Sequence, residues 1–183
     1  MPHDVPKPWK AFLEEIDQLL SVDVSLHCIG GFVVTACYGL PRTTADLDVL
    51  LIFPSDVQAM LVQLAGQHSV LHKKHGVYLD VVTVASHPDN YEARLKDVFS
   101  GAFQHLLLLA MDPYDLALVK LERNLQRDRD DVVFLAEAVP FDLAVLRTRY
   151  EREMRPYLGR PDREDLTLAL WIEMIEEYRA RAE

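Results

Sequence analysis

Residues 30–56 read GGFVVTACYGLPRTTADLDVLLIFPSD. Two glycines precede a helix-like apolar run that ends at Gly39, with Pro41 beyond it. Arg42, Thr43 and Thr44 follow, and then the strand-like "ADLDVLLIF" carries Asp46 and Asp48. Strand side chains alternate faces, so these two carboxylates share one face, roughly 7 Å apart along the strand. A carboxylate taken into an apolar strand is costly unless positive charge compensates it, and two need more. The stretch therefore predicts a bound cation.

Working outward, "VYLDVVTVA" reads as a second strand with one central acid, Asp80. If the two strands pair, three carboxylates converge. Oxygen-only ligands suit Mg²⁺ or Mn²⁺, which leave positions for water and phosphate. Upstream, "SLHCIG" reads as a short buried strand closed by Gly30 and Gly31. A strand–Gly-Gly–helix junction lets a phosphate approach the backbone, with helix-start amides directed at it. Taken singly, these features have plainer readings: solvent-facing acids on an edge strand, and an ordinary tight turn. Together they point to a phosphate cradle beside a metal site.

The chain has 183 residues, half of them hydrophobic, enough for one domain with a proper core. No apolar run reaches membrane-spanning length, and the N-terminus lacks a signal-peptide pattern. Cys28 and Cys37 are expected as buried thiols of a cytoplasmic protein. A net charge of −10 disfavours indiscriminate nucleic-acid binding, though a local basic patch could still hold such a substrate.

Helical spacing is clear in "WKAFLEEIDQLLSV" and predicted in "PSDVQAMLVQLAGQ" and "HPDNYEARLKDVF". "HLLLLAM" reads as a strand, and everything from Asp112 onward as helices. "HKKH", His72 to His75, is expected in a solvated loop, strand or turn. Mixed elements followed by helices predict an α+β fold: a mixed sheet with flanking helices, then a helical C-terminal half. The expected division is a catalytic region over 1–138 and a helical extension over 139–183 packed on it as one domain.

"IGGFVVTACYGLPRTTADLDVLL" resembles the signature of the nucleotidyltransferase superfamily, the polymerase-β-like group, in which a glycine pair precedes Asp-x-Asp and a third acid lies on a later strand. Arg-x-Thr just before the acids is similar to the AbiEii-like toxin-type branch, as is "MDPYDLALVKLERNLQRDRDDVVFLAEA", with Asp115, Lys120, Arg127, Asp128 and Asp131. The resemblance covers about residues 26–138. It implies a Mg²⁺- or Mn²⁺-dependent transfer of a nucleoside monophosphate from a nucleoside triphosphate to a hydroxyl, with pyrophosphate leaving. Asp46 and Asp48 would be metal ligands, and Asp80 a ligand of the second ion or a base. Gly30, Gly31 and Thr44 would lie along the triphosphate, where Thr44 could instead only hold the turn. Arg42 would bind phosphate or pair with an acid. Lys120 would reach a β- or γ-phosphate, or else be a snorkelling surface lysine.

By the same resemblance the acceptor is a tRNA or a protein hydroxyl in a toxin–antitoxin or abortive-infection system, with a cognate antitoxin as partner and no membrane. Two alternatives stay open: a small-molecule adenylyltransferase of the antibiotic-modifying kind, which an acidic cleft favours, and a non-catalytic nucleotide- or partner-binding module. Gly31 stands where many active relatives carry Ser. Arg152, Arg155, Arg160 and Arg163 are expected on a salt-bridged helix end, or as a basic patch for RNA. Trp171, Ile172, Met174 and Ile175 read as core.

Overall fold

Trp9, Phe12, Leu13 and Ile16 fall on one side of a helical period, and they bury one face of α1 (Trp9–Leu19). The computed structural model describes residues 4–182. The fold is α+β, and its packing divides it into two compact units. The first holds residues up to Thr83 together with Leu95–Met111; the second holds Val84–Arg94 and the chain from Asp112 on. The main break therefore falls at Asp112, where the sequence predicts it after residue 138. Ala117, Leu118, Leu121 and Val132 share a core with the later helices, which is why they group there.

In the first unit β1 (Val24–Cys28) runs directly into α2 (Gly30–Phe32), which continues as a π-helical turn over Val33–Cys37. β2 (Asp46–Phe53), α3 (Gln58–Ala65), α4 (Val70–His75) and β3 (Tyr78–Val81) follow, then β4 (Lys96–Val98) and β5 (Leu106–Ala110). The sheet order is β3-β2-β1-β5-β4. β2–β3 and β1–β5 are parallel, while β1–β2 and β4–β5 are antiparallel. Asp17 ties α1 to the sheet: its carboxylate accepts backbone N–H bonds from Gln104, His105 and Leu106 at 2.7–2.9 Å.

Strand β2 contains one irregularity with a large effect. His27 pairs with Leu51 and Cys28 with Val49, so Leu50 is an extra residue, a β-bulge. Leu47, Val49 and Ile52 are all buried. In an unbroken strand Ile52 would share its face with Asp46 and Asp48, because side chains alternate with a period of two. The bulge resolves the conflict. Ile52 enters the core while Asp46 and Asp48 stay on the opposite face.

Two local expectations are corrected. "HKKH" lies in α4, capped by Ser69, whose hydroxyl accepts the N–H of His72 at 3.0 Å. Residues 87–99 are not one helix: a 3₁₀ turn covers Tyr91–Arg94, and Lys96–Val98 pair with β5 as an edge strand. Cys28 and Cys37 are buried free thiols, as expected.

The second unit contains α5 (Pro113–Leu118), α6 (Gln126–Ala138), α7 (Leu143–Arg149) and α8 (Asp162–Ala182). Its core includes Leu146, Tyr150, Met154, Leu168, Trp171, Ile172 and Ile175. Asp112 caps α5, with Pro113 at its first position. Arg149 bonds Asp112 at 2.7 Å and Asp115 at 2.9 Å, and Arg94 bonds Asp115 at 2.8 Å and Glu153 at 2.6 Å. Arg155 pairs with Asp165, while Arg152, Arg160 and Arg163 are exposed.

Candidate active site

Because β1 and β2 are antiparallel neighbours, the end of β1 meets the start of β2. The N–H of Ile29 donates to the carbonyl of Asp48 at 2.9 Å, which sets the glycine pair against the acids. Gly30 has φ +71°, and a Cβ there would lie 1.8 Å from Asp48 Oδ2 and 2.9 Å from Asp48 Cβ. A Cβ at Gly31 would stand 3.1 Å from Thr44 Oγ1 and 3.6 Å from an Arg42 guanidinium nitrogen. The glycines therefore serve close approach as well as the turn.

Thr44 donates its hydroxyl hydrogen to Asp46. Across the parallel pair, Asp46 stands opposite Tyr78 and Asp48 opposite Asp80. Partners on adjacent strands point to the same face, roughly 4.8 Å apart. The Tyr78 phenol reports this electrically. Burial pushes its pKa up, and the charges of Asp46, Asp80 and Asp48 push it further. All three carboxylates thus lie close enough to act on this hydroxyl through their charge. They are less buried than the sequence suggests: Asp46 and Asp48 are half-buried and Asp80 is exposed.

The structure brings Gly30, Gly31, Arg42, Thr44, Asp46, Asp48 and Asp80 together where the end of β1 meets the start of β2 and its partner β3. The three carboxylates share a face without closing into one ligand shell; among the described residues no three His, Cys, Asp or Glu side chains are grouped to hold an ion. Like charges spread apart on such a face. The donor set is nonetheless hard oxygen only, on adjoining register positions, and it fits a Mg²⁺-like ion better than a soft one.

The sequence profile of the family described as nucleotidyltransferase of unknown function (DUF6036) matches residues 9–179. The chain belongs to this family. No curated protein and no solved structure matches it. For a DUF6036 nucleotidyltransferase, a glycine pair packed on a carboxylate-bearing strand is an arrangement able to hold a nucleotide's phosphates. Among the described residues no helix is long and apolar enough to cross a membrane.

Lys120 has other partners. It belongs to the second unit, is 4% exposed, and bonds Asp131 at 2.8 Å and Asp128 at 3.5 Å. Arg123 also holds Asp128, at 2.9 Å. Burial would push the Asp128 carboxyl up, but the Arg123 bond, the Lys120 charge and the Leu125 N–H outweigh it and hold it below the usual range. Asp115, equally enclosed, goes the other way: burial lifts its carboxyl despite Arg94 and Arg149.

Tyr78 is the site residue that the sequence reading passed over. Its signal was available, two residues before Asp80 and so on the same face. Its ring meets that of His72 at 4.8 Å, and His72 Nδ1 accepts the N–H of His68 at 2.8 Å.

Proposed function

We propose that this protein transfers a nucleoside monophosphate from a nucleoside triphosphate to a hydroxyl acceptor, with a divalent ion held by Asp46 and Asp48. The observation that carries it is the convergence of Gly30, Asp48 and Asp80: a backbone cradle pressed against two carboxylates in register. The ion supplies charge neutralisation at the α-phosphate and the leaving oxygen. Gly30 and Gly31 leave room for phosphate oxygens, and Thr44 fixes the rotamer of Asp46. Asp80, opposite Asp48, serves as a ligand on the acceptor side. Lys120, given its buried partners, serves the stability of the helical unit. The resemblance of residues 26–138 to the toxin-type branch supports a tRNA or protein hydroxyl as acceptor, with an antitoxin as partner.

The test incubates the full chain and its Asp48→Asn variant with Mg²⁺ and each labelled triphosphate, adding total tRNA or cell extract. Label should enter RNA or protein with the wild type only, the variant falling by roughly 10³-fold, given several kcal/mol from a metal ion. Label in a small molecule would move the acceptor to the antibiotic-modifying class. Equal transfer by both proteins would remove the carboxylates from the chemistry.

A further inference from the structure

A sheet with one face in the core normally turns polar side chains outward on the other. This sheet does not. Val24, Leu26 and Cys28 of β1 enter the core, so Ser25 and His27 point the other way. In register with Ser25 stand Phe53 on one side and Leu107 on the other; in register with His27 stand Leu51 and Leu109. His27 is buried and Leu109 half-buried, but Phe53 is 65% exposed, Leu107 41% and Leu51 38%. Single exposed apolar side chains are ordinary. These lie side by side across three strands, which makes a patch.

The bulge at Leu50 puts this patch on the face of the candidate site. Without the extra residue, Leu51 and Phe53 would lie on the face opposite Asp46 and Asp48; with it they share that face. Leu51 follows Asp48 by roughly 10 Å along the strand and Phe53 by roughly 16 Å. Patch and acids are therefore one surface, and a molecule lying on the patch reaches the acids. None of the strand residues on this face is a lysine or arginine, and Asp97, opposite Leu109, adds a further carboxylate. A polynucleotide would set its phosphates against leucines and carboxylates, where nothing offsets their repulsion or desolvation. A polypeptide supplies what the surface complements: apolar side chains for the patch, and lysines or arginines for the acids beside it.

We propose that this open sheet face docks the acceptor, and that the acceptor is a polypeptide segment whose serine, threonine or tyrosine hydroxyl lies about three to five residues from apolar anchors, with basic residues beside them. The inference rests on the transferase assignment above and narrows its acceptor to protein. The hydroxyl oxygen bonds to the α-phosphorus, the bond from that phosphorus to the bridging oxygen breaks, pyrophosphate leaves with the electron pair, and the hydroxyl proton passes to solvent.

The test combines Phe53→Ser with Leu107→Ser, both at exposed positions, so the core is untouched. Wild type and this double variant are given a fluorescent mixture of synthetic peptides, each with one hydroxyl residue about three to five positions from a leucine pair and flanked by lysines. A second mixture carries glutamine for leucine. Binding is read by anisotropy and transfer by label from a Mg²⁺–triphosphate, with total tRNA as a parallel acceptor. Wild type should bind and label the leucine peptides roughly tenfold better than the glutamine peptides, and the double variant should lose that preference. The tRNA should stay unlabelled. Label in tRNA alone, or equal use of both peptide mixtures, overturns the proposal and leaves the transferase assignment in place. A wild-type dimer in light scattering that becomes a monomer in the double variant gives the face to a second copy, and likewise overturns it. Leucine-peptide binding that needs Phe53 and Leu107, with no label in any acceptor, upholds the docking face and overturns the transferase assignment. Neither binding nor label overturns both.

Discussion

The two units treat their carboxylates in opposite ways. In the helical unit Asp112, Asp115, Asp128 and Asp131 are buried, and each is bonded to Arg94, Arg123, Arg149 or Lys120. In the sheet unit Asp46, Asp48 and Asp80 lie half-buried or exposed on one face, beside a hydroxyl and two glycines. Acids held by neighbouring cations are framework, because removing one partner strands a buried charge. Acids gathered on one half-exposed face repel one another, which costs the fold something and marks them as candidates for binding a ligand. The same residue type thus carries stability in one unit and, in the function proposed above, chemistry in the other.

The sharpest way to break this contrast is Lys120→Ala. It leaves Asp131 and Asp128 buried with less compensation, and should destabilise the helical unit by about 3–5 kcal/mol. Trp171, buried in that unit, reports its unfolding in a Trp9→Phe background. A loss of only a few tenths, with weakened triphosphate binding, would return Lys120 to the phosphates.

Gly30→Ala attacks the other side through the backbone. A left-handed φ costs a side-chain-bearing residue about 1–2 kcal/mol, and the new methyl would collide with Asp48 as well. We expect a loss of about 2–3 kcal/mol in thermal unfolding and transfer falling as far as in Asp48→Asn. Wild-type transfer would mean that the glycine serves only the turn.

A smaller effect follows from pH. Asp128 titrates below its unfolded value, so its stabilisation is present above about pH 4 and is lost as pH falls through the lower folded value. Asp115 has the opposite sign: its raised value favours the folded state under acid and weakens it as pH rises. Trp171 emission followed from pH 6 to pH 2 should show the Asp128 loss, and Asp128→Asn should flatten that part of the curve. An unchanged curve would mean that Asp128 is not held by its partners.

The smallest change in stability belongs to the acids of the candidate site. Asp46→Asn should leave the metal-free protein as stable as wild type, or more stable by a few tenths of a kcal/mol, as like-charge repulsion is relieved. A loss beyond 1 kcal/mol would place Asp46 in the framework with the buried acids.

Much of the site is legible in the sequence because its determinants are local. Gly-Gly, the i,i+2 acids and the strand alternation are all short-range, whereas the pairing of β2 with β3 is only a condition in the sequence and comes from the register of the sheet. What depends on distant partners is not legible. Lys120 looks like a reaching cation until Asp131 folds over it from another helix. Lys96 and Asp97 look helical, yet they pair with β5 at the sheet edge, where polar side chains are common and hide the strand. α4 is six residues long, too short for its periodicity to show. The exposed apolar row joins Phe53 to Leu107 across Ser25, from separate strands and beyond any motif.

Leu50 has a consequence for how this strand can change over time. β2 is effectively written in two reading frames, one presenting the acids of the candidate site and one facing the core, with a single spare letter between them. Deleting that letter would leave the composition almost untouched, yet force a choice: turn Ile52 out to water, or turn two carboxylates into the hydrophobic interior. Neither outcome is a small step, so strand-length drift that surface loops absorb is closed to this segment. Substitutions can still tune either half alone. The spare residue lets a lineage rework its core without disturbing its acids, and its acids without reworking its core.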